Sequence, residues 1–318
     1  VSYLTDHWSF SPFLVLAVVL AGWHEIGLFR LARRSGPEGT RSRWLRSLWF
    51  YAGLVVVLLA VESPVNYWGY DYFFVHMIQH LLLMFAAPSL IVAGAPWQPL
   101  RDALPVRAGA SRGGADGADG AGPLRVLGGL VLRPWVSIGI FSAVMICWHL
   151  PGPYDLADRN QAVHTWLMEG SFLVAGVLFW LQFIPSPPFR RRMPLLSQAA
   201  ALLVTNVVMI VLAMALSIFA SHSVYPVYAH IPGVTLPPFA DQQIGAAILW
   251  VCGDFWAVPT MIAIVRQMVA VDGSVSGALE TILHRGHALA GWGGSRVPRS
   301  GPLAELRAQP PSPPDAGP

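Results

Sequence analysis

Seven apolar stretches divide this chain, and its cationic side chains crowd into the loops on one side of them. The stretches are Phe10–Leu31, Leu45–Val61, Tyr72–Ala95, Val131–Leu150, Val163–Ile184, Ser197–Ala220 and Ile244–Val265. Crossing about 30 Å of hydrocarbon takes roughly 20 residues at 1.5 Å each, so each stretch spans a bilayer or nearly does. Only 12% of the residues are charged, about half the fraction usual in a soluble domain, which excludes a water-soluble globule. Backbone polar groups facing lipid must be satisfied within their own segment, so all seven stretches are read as helices. The sequence predicts an all-α fold, a polytopic membrane bundle of seven transmembrane helices. Ser63-Pro64, Pro151-Gly152-Pro153 and Pro185-Ser186-Pro187-Pro188 punctuate the second, fourth and fifth spans as helix-ending signals.

There is no lysine, and all twenty cationic side chains are arginines. Every one except Arg159 lies at the end of, or in the loop after, spans one, three, five or seven. Positive charge marks the cytoplasmic side, so the N-terminus is expected outside and the C-terminus in the cytoplasm. The net charge of +3 is then a topology signal, and no nucleic-acid partner is expected. Span one lacks a positive leading region and is followed by arginines, as in a retained helix rather than a cleaved signal. Residues 1–270 are expected to form the seven-helix domain. The Gly/Ala/Asp-rich stretch 108–122 reads as a disordered cytoplasmic loop. Residues 271–318 read as a cytoplasmic tail, disordered from about residue 291.

The histidines are distributed against this charge bias. His7, His76, His80, His149, His164, His222 and His230 all fall in the outer half or the outer loops. In span three, His76, His80 and Met84 are spaced by four, which places them on one helix face, with His80 roughly 12 Å below Tyr72. Two imidazoles so spaced can chelate one metal ion. The alternative is that each bonds a neighbouring helix. Met145 and His149 close span four, and His164 and Met168 open span five, so three helices carry His or His/Met pairs at one depth. Thioether ligands favour cuprous copper, whereas imidazole alone also suits zinc, iron or cupric copper. The three methionines also read as interface filler.

His222 is placed to cap span six or to close a site from above. Cys147 and Cys252 read as packing residues, and two cysteines make no disulfide framework. Glu62 and Asp71 bracket a short outer loop, as solvated charges or as attractors for a cation. His24 and Glu25 in span one, and Asp254 in span seven, are costly in a membrane and are expected to face polar partners. Trp8, Trp68 and Trp148 suit an interfacial aromatic belt. No nucleophile elbow, Walker loop, dinucleotide fingerprint or haem-attachment motif is present, so the chain reads as a non-enzyme.

Four blocks carry a resemblance. They are His76-Met77-Ile78-Gln79-His80 through Met84 with Ala87-Pro88 and Gly94-Ala95-Pro96; Trp148-His149-Leu150-Pro151 with Tyr154-Asp155; His164 with Ser171-Phe172 and Phe179-Trp180; and Asp241-Gln242-Gln243 with Trp250. In this order, from about residue 70 to 265, the chain resembles the CtaG-type cytochrome c oxidase assembly factor family of bacterial plasma-membrane proteins. The resemblance implies a role in assembling haem–copper cytochrome c oxidase, with its subunits as partners and copper as the metal delivered, by way of an extracytoplasmic copper chaperone. It implies His76, His80, His149 and His164 as the polar signature, with Asp241, Gln242 and Gln243 opening span seven. Many relatives are expected to carry a further histidine near 168–169, where this chain has Met168 and Glu169. Two other readings remain beside copper delivery. One is a b-type haem protein with axial histidines, and the other is a metal-free scaffold.

Overall fold

The computed structural model describes residues 6–34, 37–104, 123–189 and 193–272. Loop 108–122 and the tail from residue 273 lie outside the described residues. Residues 1–264 form one compact unit; a second, 265–318, is described only over residues 265–272, which are helical.

The described residues contain helices and no strand. Six helices are long and apolar enough to cross a membrane, and a seventh is counted if one bent pair is a single span. Helix α1 is Pro12–Ala32, α2 is Pro37–Glu62 and the short α3 is Pro64–Gly69. The third span is composite: α4, Phe73–Leu81, runs through a π-helical turn at Leu82–Ala86 into α5, Ala87–Gly94. Short helices α6, Trp97–Asp102, and α7, Pro123–Val131, precede α8, Pro134–His149, and α9, Pro151–Arg159. The fifth span begins as a π-helix, Val163–Glu169, and continues as α10, Gly170–Trp180. Helices α11, Leu195–Ser217, and α12, Pro238–Asp272, complete the set.

Several boundaries differ from the hydropathy reading for local reasons. The second span is longer than Leu45–Val61 because α2 runs from Pro37, where a proline suits a first turn. It stops where the Ser63 hydroxyl accepts the Val65 N–H and caps α3, as serine commonly does. The fourth span is only 16 residues long. It breaks at Leu150, held extended before Pro151 as residues preceding proline are, and α9 turns away by 73°. The seventh begins at Pro238 rather than Ile244, because Asp241 and Gln242 are buried and hydrogen-bonded instead of solvated.

Close helix approach depends on small residues. A Cβ on Gly94 would stand 2.6 Å from the Phe50 backbone nitrogen, and one on Gly176 would stand 2.5 Å from the Met84 carbonyl oxygen. The second contact seats α10 directly against the π-turn that follows His80.

Candidate functional site

Helix α4 carries His76 and His80, and its first turn is held from a distant part of the chain. Tyr72, at the N-cap, makes no side-chain cap bond. The Asp241 carboxylate of α12 accepts the N–H groups of Phe73 at 2.7 Å and Phe74 at 2.9 Å instead. These would otherwise be unpaired donors at the helix start.

The four histidines singled out in the sequence come together. Ring centroids lie 5.3 Å apart for His164 and His76, 4.3 Å for His76 and His80, and 5.4 Å for His80 and His149. The order is therefore a chain of imidazoles drawn from three spans. All four are buried, at 1% to 3% exposure. Phe172 packs on His80 at 4.3 Å and Tyr154 on His76 at 5.0 Å.

In His149 and His164 one ring nitrogen is engaged and the other is not. His149 Nδ1 lies 2.6 Å from the Met145 carbonyl oxygen, which only accepts, so the proton is on Nδ1. The Tyr70 hydroxyl donates to Gln161 Oε1 at 3.0 Å and so accepts from His164 Nδ1 at 2.5 Å. These two bonds leave Nε2 of His149 and His164 as bare lone pairs. Nε2 is buried without a partner in all four histidines, and His80 Nδ1 is as well. Among the described residues, no three or more His, Cys, Asp or Glu side chains are already disposed as ligands around one ion. The cluster is a row of neighbouring donors rather than a finished cage.

The other candidates divide. Met84, Met145 and Met168 are all buried, at 2% or less. Met84 and Met168 fall inside the two π-helical turns, whose i→i+5 bonding displaces the four-residue stripes expected of an α-helix. Met145 meets His149 through its carbonyl oxygen. His222 is exposed beside Ser221, 3.1 Å from its hydroxyl, and stands apart from the buried histidines. It does not cap α11, whose end is closed by Ile218 and Phe219 N–H groups on the Met214 carbonyl. Cys147 is exposed and Cys252 half-buried, both as free thiols.

Gln79 and Glu169 were not singled out as functional candidates from the sequence. Gln79 is fully buried, and its amide nitrogen lies 2.8 Å from Glu169 Oε1, 3.0 Å from Asn66 Oδ1 and 3.2 Å from the Ala60 carbonyl oxygen. An amide between two histidines in an apolar span was the available signal. Glu62 is also buried rather than a solvated loop charge. Its carboxylate accepts from the Ser9 and Ser11 hydroxyls and from the Ser11 and Leu14 N–H groups. His24 and Glu25 are joined through Tyr51, whose hydroxyl donates to Glu25 and lies 2.8 Å from His24 Nδ1. Asp254 receives the Asn206 amide at 3.0 Å.

A tyrosine roof closes one end of the cluster. Tyr154 donates to Tyr228, which donates to the Gly69 carbonyl, and Tyr225 donates to the His149 carbonyl. Gln242 ties this roof down by accepting from Val224 N–H and donating to the Leu216 carbonyl. Tyr225 and Tyr228, in the loop before α12, have phenol pKa values pushed up first by burial.

Comparisons with known proteins identify relatives of the chain. The chain is similar to uncharacterized proteins of Mycobacterium leprae, at 26% identity over 284 residues, and of Mycobacterium bovis and Mycobacterium tuberculosis, each at 27% over 277 residues. Each match covers 85% of this chain and 40% of the relative, so the chain spans well under half the length of these curated relatives. No solved structure gives a significant match. Residues 22–270 match the family described as cytochrome c oxidase caa3 assembly factor, Caa3_CtaG, and the chain belongs to that family.

Proposed function

We propose that this chain assists assembly of haem–copper cytochrome c oxidase in the bacterial plasma membrane by holding copper transiently at His76, His80, His149 and His164 and passing it to an oxidase subunit. The observation that carries the reading is the row of four buried imidazoles whose Nε2 atoms have no partner. Leaving a buried nitrogen unbonded costs about 1–3 kcal/mol, and four together are best explained by a ligand that they receive. The donor set fits copper, since imidazole accepts either oxidation state. Arginine placement supports a position toward the outer face, where an extracytoplasmic chaperone could load the cluster.

A carrier must also release its cargo. An incompletely convergent donor row does this better than a rigid cage, because ligands exchange one at a time. The scaffold reading explains the cluster less well, since His80 has both ring nitrogens unbonded. The haem reading is also less favoured. Axial imidazoles sit on opposite faces of a flat macrocycle, whereas the His76 and His80 rings are 4.3 Å apart.

The test is copper content by elemental analysis of purified wild type beside His76→Ala/His80→Ala, with oxidase copper measured in the corresponding strains. Loss of copper from the variant and from the oxidase, with normal protein abundance, is expected. Equal metal content in both pairs contradicts the proposal, and a Soret band in the wild type redirects it to haem.

A further inference from the structure

The four imidazoles are sealed, so an ion needs a route to them. The tyrosine roof covers one end, and a cation crosses the surrounding hydrocarbon only at high cost. One cavity is linked to the cluster through the hydrogen bonds of residues that line it. It has a volume of about 620 Å³ and is lined by Ser9, Ser11, Asn66, Gln161, Thr165 and Trp166 among others. We infer that this cavity is the entry port through which a copper ion reaches the cluster, with His164 as the first imidazole it meets. The inference rests on the copper reading above.

Three observations support it. First, two lining amides are each bonded to a residue of the buried polar system. Gln161 accepts the Tyr70 hydroxyl, whose oxygen holds His164 Nδ1, and Asn66 accepts from Gln79, which also bonds Glu169. Second, Thr165 lines the cavity and adjoins His164 in the chain, so the cavity wall and the ligand share one turn of π-helix. Third, the opposite wall is held by an acid. The segment carrying Ser9 and Ser11 is drawn in by Glu62, with Ser11 N–H at 2.7 Å and its hydroxyl at 2.6 Å. These bonds fix the Ser9–Ser11 part of the cavity wall in place. The Tyr70 hydroxyl stands between port and cluster and is the contact that must yield for the ion to pass.

The test uses Ala162→Cys, at an exposed position on the cavity rim, in a background with Cys147→Ser and Cys252→Ser. The folded protein is treated with a bulky, membrane-impermeant maleimide, so the plug is added after folding is complete. Cuprous ion buffered by glutathione is then supplied, and loading rate and equilibrium affinity are measured separately. Labelling at Ala162→Cys is expected to slow loading by about tenfold or more with affinity held within about twofold, while labelling at Ser221→Cys changes neither. No reaction of Ala162→Cys with the maleimide, an unchanged loading rate, or equal loss of rate and affinity each overturns the port. If the unlabelled protein takes up no copper, the copper reading fails with it. Normal uptake with an ineffective plug defeats the port alone.

Discussion

Asp241 Oδ2 accepts the backbone N–H of Phe73 at 2.7 Å across 168 residues of chain. The last membrane helix thereby sets where the His76/His80 helix begins, and with it the depth at which both imidazoles lie. Asp241→Ala should leave the Phe73 and Phe74 N–H groups without an acceptor and lower stability by about 2 kcal/mol or more. Thermal unfolding in detergent reads this, and a melting temperature equal to wild type would contradict the capping role. Copper retention should fall as well, because a frayed first turn moves His76.

Tyr70→Phe removes the hydroxyl that holds His164 Nδ1 and leaves the ring in place. Loss of such an outer partner typically costs 10–100-fold in metal affinity, and a drop of about tenfold is expected in a cuprous competition titration. Unchanged affinity would show that Tyr70 does not orient His164.

Gly176 contacts the turn after His80, where a Cβ would meet the Met84 carbonyl oxygen at 2.5 Å and Pro88 at 2.6 Å. Gly176→Val should destabilise by about 1–3 kcal/mol through overpacking. Gly139, in α8, has nothing within 4 Å of its added Cβ, so Gly139→Ala should be neutral or stabilising by up to about 1 kcal/mol. Similar losses in both variants would argue against a specific seat for Gly176.

Asp158 lies on α9, beyond the bend that ends the fourth span. Burial first and the neighbouring Asp155 second push its carboxyl pKa up from 3.8 to about 6, against the pull of Arg159. The folded chain thus binds this proton more tightly than the unfolded chain. The stability it adds is present below about pH 4 and is lost as pH rises through about 6. Asp158→Asn should flatten the pH dependence of the melting temperature across that window. Parallel profiles for wild type and variant would refute the assignment.

The membrane class and the helices are legible in the sequence because burial in lipid is a property of each segment by itself. Mean residue polarity over twenty positions is enough to find a span. The grouping of His76, His80, His149 and His164 is legible for a related reason, since residue number within a span is a ruler of depth. Depth, however, does not give direction. Met84 and Met168 fall in π-helical turns, where four-residue spacing no longer defines one face and which hydropathy does not distinguish from α-helix.

What the sequence alone determined was which segments are apolar enough to cross a bilayer and how far along them their polar residues lie. Tertiary structure decided which partners those residues find. Gln79 reaches Glu169 across 90 positions, Glu62 gathers Ser9 and Ser11 from across more than 50, and Asp241 caps a helix 168 residues away. Such bonds depend on the rotation and neighbour order of packed helices, which are set by small-residue contacts such as Gly176 on Met84, and no local pattern encodes them.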